Sequence, residues 1–275
     1  MLMKILSALL EGSLTRRGFR ILLNQIPMRA GTRARLYLGE RPHYLWCAWH
    51  AALLAKRLGM QGVTLVEFGV AGGNGLVFLE RIAPLIEEEL GIAVAICGFD
   101  TGEGLPEVVD HRDLPYWFRT NQYRMDVDRL KRRLQRSQLL LGDVRETVPK
   151  FLESAGPPIG SIFHDLDFYS STRNSFRIFD IDRDRVLPRV FNYFDDVKGS
   201  QLEMYGCHSG ELLAIHEFNR TNERRKIVLN QNLLAEPIPW SHQIFYYHDF
   251  DHPLYNRFVG DAQQEEIEQA LRLKG

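Results

Sequence analysis

Apolar positions fall in short continuous runs separated by glycine-rich or charged turns, and the runs alternate with longer amphipathic stretches. Val63 to Phe68 predicts a strand buried on both faces, and Leu76 to Glu89 the helix that follows it. Ala93 to Asp100, Gln138 to Asp143, Ile159 to Phe163 and Val190 to Phe194 repeat the strand pattern, with Arg145 to Leu152 a helix between the third and fourth runs. Strands alternating with helices predict an open, mostly parallel α/β sheet with helices on both faces. Lys226 to Leu229 and Gln243 to His248 predict an antiparallel hairpin at its edge.

Before the first strand, His43 to Leu58 predicts a strong helix punctuated by Gly59 and Gly62. Residues 1 to 40 are basic and apolar, carrying Arg16, Arg17, Arg20, Arg29, Arg33 and Arg35, and read as a helical arm, first of all a solvated basic face, with cover of the site or homo-oligomer formation as the functional alternatives. The division expected is an arm with lead-in helix over 1–58 and a Rossmann-like domain over 59–275. Residues 107–136 form an insertion in that domain, with Tyr116, Trp117, Phe118 and Tyr123 ahead of a charged helix. Such an insertion either lies over a cleft or packs on the sheet.

Composition narrows the partners more than the fold. With 34 basic against 35 acidic residues among 275, the net charge of −1 offers no global attraction to nucleic acid or an anionic surface. Cys47, Cys97 and Cys207 are widely spaced, which indicates neither a disulfide framework nor a zinc knuckle and fits a reducing, cytoplasmic setting. Met1 to Leu10 is too short an apolar run for a leader and is interrupted by Glu11, so it reads as a short amphipathic helix. No run approaches the ~20 apolar residues of a membrane span.

The chemistry concentrates where strands end. Glu67-x-Gly69-x-Ala71-x-Gly73 joins the first strand to its helix, and glycines there admit a ligand to the backbone and to unpaired helix N–H groups. The spacing departs from a Gly-x-Gly-x-x-Gly dinucleotide fingerprint at the second glycine, and Asn74-Gly75-Leu76 lacks the lysine of a P-loop. Asp100 ends the second strand, where a carboxylate can accept both hydroxyls of a ribose, and Asp143 ends the third. The fourth and fifth end in His164-Asp165-Leu166-Asp167 and Asp195-Asp196, oxygen ligands suited to Mg²⁺, with capping of the next helices as the competing reading. His164 adjoins these acids as a candidate general base, with His208 and His248 as alternatives.

In this order the segments Val66 to Gly73, Gly98 to Pro106, Gly142 to Pro149, His164 to Thr172 and Phe194-Asp195-Asp196 resemble class I S-adenosylmethionine-dependent methyltransferases. The narrower resemblance is to the macrocin O-methyltransferase family (TylF/MycF type), over residues 60 to 200. It implies a Mg²⁺-assisted O-methyltransferase for a hydroxyl of a sugar, glycan or natural product. Glu67, Gly69, Ala71 and Gly73 would surround the methionine part of S-adenosyl-L-methionine, Asp100 with Thr101 its ribose, and Asp143 with Val144 its adenine. Asp165, Asp195 and Asp196 would hold the metal, Asp165 and His164 acting in catalysis. Where the family has a Pro-Gly-Gly turn before strand five, Leu187-Pro188-Arg189-Val190 has no glycine, so the preceding helix is expected to be reshaped. A dinucleotide-dependent oxidoreductase and a non-catalytic S-adenosylmethionine-binding relative remain open alternatives.

Overall fold

A computed structural model describes residues 23–260 and 262–272. The leader-like Met1 to Leu10, with Glu11, Arg16, Arg17 and Arg20, lies outside them. The elements, in order, are α1 (Ala30–Arg35), α2 (Pro42–Arg57), β1 (Gly62–Phe68), α3 (Asn74–Leu90), β2 (Ala93–Asp100), α4 (Val127–Arg133), β3 (Gln138–Leu141) and α5 (Val144–Glu153). Then follow β4 (Ile159–His164), α6 (Tyr169–Ser175), β5 (Val186–Phe194), α7 (Gly210–Thr221), β6 (Arg225–Leu229), α8 (Gln231–Leu234), β7 (Ile244–Asp249) and α9 (Ala262–Leu271).

The seven strands form one sheet in the order β3-β2-β1-β4-β5-β7-β6. The first five pair in parallel. β7 runs antiparallel between β5 and β6, so the two last strands form the expected antiparallel pair at the sheet edge, joined through α8, with β7 on the inner side. A dinucleotide-binding sheet in the order 3-2-1-4-5-6 has no such inserted strand. All seven residues of β1 are buried, as parallel strands covered on both sides require. Alternation sends Val63 and Leu65 to the core under α2 and α3, and Val66 and Phe68 to the core under α5, α6 and α7. Fully burying such a side chain contributes about 1.5–3 kcal/mol, so the centre of the sheet is a rigid base for the strand tips.

The arm's described part folds onto this base. Gly31 N–H donates to Glu89 on α3 at 3.1 Å, and the Trp49 ring of α2 fills the space above Gly31. After α6, the chain continues in 3₁₀ turns at Phe176–Asp180 and Arg183–Arg185, so the segment before β5 is a short helix followed by tight turns. No helix of the described residues is long and apolar enough to cross a membrane.

Candidate functional site

All five parallel strands deliver their C-terminal ends to one side of the sheet, and a cavity of about 470 Å³ opens there. Its walls include Gly69 and Ala71 after β1, Asp100 and Thr101 after β2, Asp143 and Val144 after β3, Asp165 after β4, and Asp195 with Asp196 after β5. Glu67, Gly73 and His164 do not line it.

The loop after β1 is shaped by close approach. Gly69 has φ +82°, and a Cβ there would lie 1.7 Å from the Asp165 carbonyl oxygen. Its N–H donates to Phe99 O at 2.9 Å, while Asp165 N–H donates to Phe68 O at 2.9 Å, so the tips of β2, β1 and β4 are laced together. Ala71 N–H donates to Asp100 Oδ2 at 2.8 Å, and Gly102 N–H to Asp100 Oδ1 at 2.6 Å. One carboxylate therefore fixes two loops, and each oxygen retains a lone pair. Thr101 donates its hydroxyl to Gly104 O at 2.8 Å, bracing the second loop. Asp143 caps α5 by accepting Arg145 N–H at 2.8 Å and pairs with the Arg145 guanidinium at 2.6 Å, which lowers its carboxyl pKa.

Glu67 sits below the loop, 2% exposed. The Tyr44 hydroxyl donates to its Oε1 at 2.7 Å, and its Oε2 is buried without a partner. A Cβ at Gly75 would lie 1.8 Å from Oε1, so glycine at this first turn of α3 makes room for the carboxyl. Burial pushes Glu67 from its ordinary 4.5 up to about 7. The folded chain thus binds this proton more tightly than the unfolded one, and the stability linked to it is complete below about 4.5 and lost as pH rises through about 7. Glu67→Gln is therefore expected to stabilise the ligand-free chain at pH 8, relative to pH 4, by on the order of 3 kcal/mol more than wild type. Parallel denaturation curves for the two proteins across that range would disprove it.

The acids of strands four and five converge, with one change from expectation. Carboxylate oxygens of Asp165, Asp167 and Asp196 all lie within 4.8 Å of one another. Asp195 lines the cavity beside them and accepts the Tyr193 hydroxyl. Asp196 accepts Asp167 N–H at 2.9 Å and the Tyr205 hydroxyl at 3.0 Å, and its own N–H donates to the fully buried Glu211 at 3.0 Å. Capping is not their role: the N-cap of α6 is Phe168, with no side-chain cap, and that of α7 is Ser209, far along the chain from Asp196. Burial first, then the like charges around them, raises Asp165, Asp167 (to about 9) and Asp196 (to about 7). Among the described residues no Lys or Arg forms an ion pair with these acids. The donor set, carboxylates alone and held together without a counter-charge, fits a hard divalent cation.

His164 is placed elsewhere. It is fully buried, stacked on Phe194 with ring centroids 4.2 Å apart, and bonded through Nε2 to Asn192 at 3.2 Å. Burial pushes its pKa down to about 3. Position 164 alternates with Asp165, so the residue before a cavity-facing acid points into the core. His208 does not line the cavity, and His248 borders a separate groove and bonds Tyr255.

The insertion both packs and covers. Phe118 joins Leu105, Leu114 and Phe168 in a small core and also lines the cavity, as do the more exposed Trp117 and Tyr123. Burial and then Asp167, Asp196, Asp165 and Glu203 raise the Tyr123 phenol, in keeping with a ring held near the acids. Tyr44, Glu203 and Glu211 carried no sequence signal of their own, because long-range packing alone brings them here.

No family model matches the sequence, and no curated protein matches it. Solved structures do. The chain is 21% identical to CalS11, a calicheamicin methyltransferase, covering 88% of this chain and 95% of that one with a TM-score of 0.53. It is 16% identical to the O-methyltransferase NovP, covering 75% of this chain and 79% of that one with a TM-score of 0.52. The sheet order, the single antiparallel strand and these likenesses establish the Rossmann-like fold of the class I S-adenosylmethionine-dependent methyltransferases.

Proposed function

We propose that the protein is an S-adenosylmethionine-dependent O-methyltransferase acting on a hydroxyl of a sugar or natural product. The observation that carries this reading is one cavity in which Asp100, fixed by two loop N–H groups, and the Asp165, Asp167 and Asp196 carboxylates share a wall. Asp100 would accept the ribose hydroxyls, Val144 and Asp143 would border the adenine, and the Gly69–Ala71 turn would lie along the methionine part. Glu67, buried below the turn and outside the cavity lining, would support the turn from beneath rather than face the cofactor. CalS11 and NovP are methyltransferases by description, which supports the reading by analogy of fold.

When bound, S-adenosylmethionine supplies an electrophilic methyl on a sulfonium, and Mg²⁺ lowers the pKa of a nearby hydroxyl. The chain's own part is alignment and charge. The acceptor oxygen, aligned by the cavity wall, would give a lone pair to the methyl carbon as the carbon–sulfur bond breaks, the bonding pair staying on sulfur. The hydroxyl proton would pass to a carboxylate at the tips of β4 and β5, where Asp195 stands beside the three acids that would hold the metal. The donor set fits Mg²⁺ with Asp165, Asp167 and Asp196 as ligands and Asp195 adjacent. The unpaired cysteines suit a cytoplasmic enzyme.

Calorimetric titration with S-adenosylmethionine and S-adenosylhomocysteine, each with Mg²⁺ and with chelator, tests this. Micromolar binding of both is expected, little changed by chelation, because Asp100 and the β1 loop do not belong to the acid cluster. Absence of binding under every condition would overturn the reading and leave the glycine turn a structural element.

A further inference from the structure

The cavity's charge is lopsided beyond what a cofactor and one metal ion need. Eight carboxylates line it, against the guanidinium of Arg145, which Asp143 already neutralises. A cofactor with one net positive charge and one divalent ion would still leave an excess of negative charge facing the acceptor. Two of these acids, Glu107 and Glu203, stand apart from the strand tips in loops that border the mouth. Neither has a basic partner among the described residues.

Beside Glu203 are exposed aromatic faces. Trp117 is 36% and Tyr123 56% exposed, and both line the cavity. The Tyr116 hydroxyl donates to the Glu203 carbonyl oxygen at 2.8 Å, which ties the loop bearing Trp117 to the loop bearing Glu203. Tyr123 is secured through its neighbours: Leu105 N–H donates to Gln122 O at 2.9 Å and Asn121 N–H to Leu105 O at 2.8 Å. Aromatic rings beside a carboxylate that has no basic partner, its Oε2 accepting only the Ser200 N–H of its own loop, are surroundings an organic ammonium favours, through attraction to the ring quadrupole and to the carboxylate together. The same wall repels phosphate, and it offers a neutral polyol no gain from charge.

Resting on the methyl-transfer reading of the cavity, we infer that the acceptor carries a protonated amine as well as the hydroxyl to be methylated. It is an amino sugar or amine-bearing natural product, with the amine seated between Glu203 and the Trp117 and Tyr123 rings. Phosphorylated acceptors are excluded by the same residues.

The test uses the full chain loaded with S-adenosylhomocysteine and three probes differing in one group: glucosamine, glucose and glucose 6-phosphate. Dissociation constants are read by saturation-transfer NMR. Glucosamine is expected to bind about tenfold more tightly than glucose, with glucose 6-phosphate weaker than either. Glu203→Gln should bring the glucosamine-to-glucose ratio close to one, and Trp117→Leu should reduce it independently. If S-adenosylhomocysteine binds while glucose or glucose 6-phosphate matches glucosamine, or while none of the three binds, the inference falls and the methyltransferase reading stands. If S-adenosylhomocysteine itself does not bind, the underlying reading falls and takes the inference with it.

Discussion

Replacing Asp165 by Asn is expected to lower kcat/KM for methyl transfer by about 10²- to 10³-fold, the loss typical when a charge-stabilising group leaves a reacting centre. Affinity for S-adenosylmethionine should change little. The two effects separate because Asp165 joins the acid cluster through its side chain but joins the fold through its backbone, its N–H donating to Phe68 O at 2.9 Å. Asparagine keeps the volume and removes one of several crowded negative charges. Asp167, at about 9, and Asp196, at about 7, both lie above their ordinary 3.8, so the ligand-free chain loses stability as pH rises through those values. Asp165 shifts in the same direction. The variant should therefore unfold at an equal or higher temperature than wild type at pH 8 while losing turnover. A damaged fold would lower both quantities. Turnover equal to wild type, measured as S-adenosylhomocysteine release with an accepted substrate, would remove Asp165 from the chemistry.

The parallel half of the sheet was legible because its signal is local. Each strand is an apolar run ending in an acid, and a parallel sheet buried on both faces leaves such runs uninterrupted. Asp100, Asp143 and Asp165 were legible as cavity residues for the same reason, since the topology sends every parallel strand tip to one edge. What sequence did not reveal depends on packing between distant segments. β7 inserts between β5 and β6 although both candidate strands were visible, because pairing order is decided by which strand finds the open edge of β5. Asp167 rather than Asp195 completes the closest group of acids, and the difference lies in backbone: Asp167 has φ +58°, a turn that swings its carboxylate toward Asp196. His164 was misjudged as a candidate base by adjacency. One residue along a strand is the opposite face of the sheet, and there the imidazole stacks on Phe194.

The same distinction between local signal and long-range packing makes two glycines of one loop differ sharply in consequence. Gly69→Ala is expected to destabilise the chain by about 3–5 kcal/mol and to weaken S-adenosylmethionine binding by more than tenfold. Two separate constraints act there. At φ +82° an L side chain is strained, and its Cβ would sit 1.7 Å from the Asp165 carbonyl oxygen, a backbone atom that cannot rotate away. Relief requires β1 and β4 to part at their tips, which displaces Asp165 and pulls Ala71 N–H from Asp100, so fold and cofactor site fail together. Gly72→Ala meets nothing nearer than Asn74 Nδ2 at 3.9 Å and should shift stability by no more than about 0.5 kcal/mol. Urea unfolding of both variants, paired with calorimetry, reads the contrast directly. Equal small effects would mean that the β1 and β4 tips tolerate separation, and the cavity would then owe its shape to Asp100 and the loops it binds rather than to contact between the strand ends.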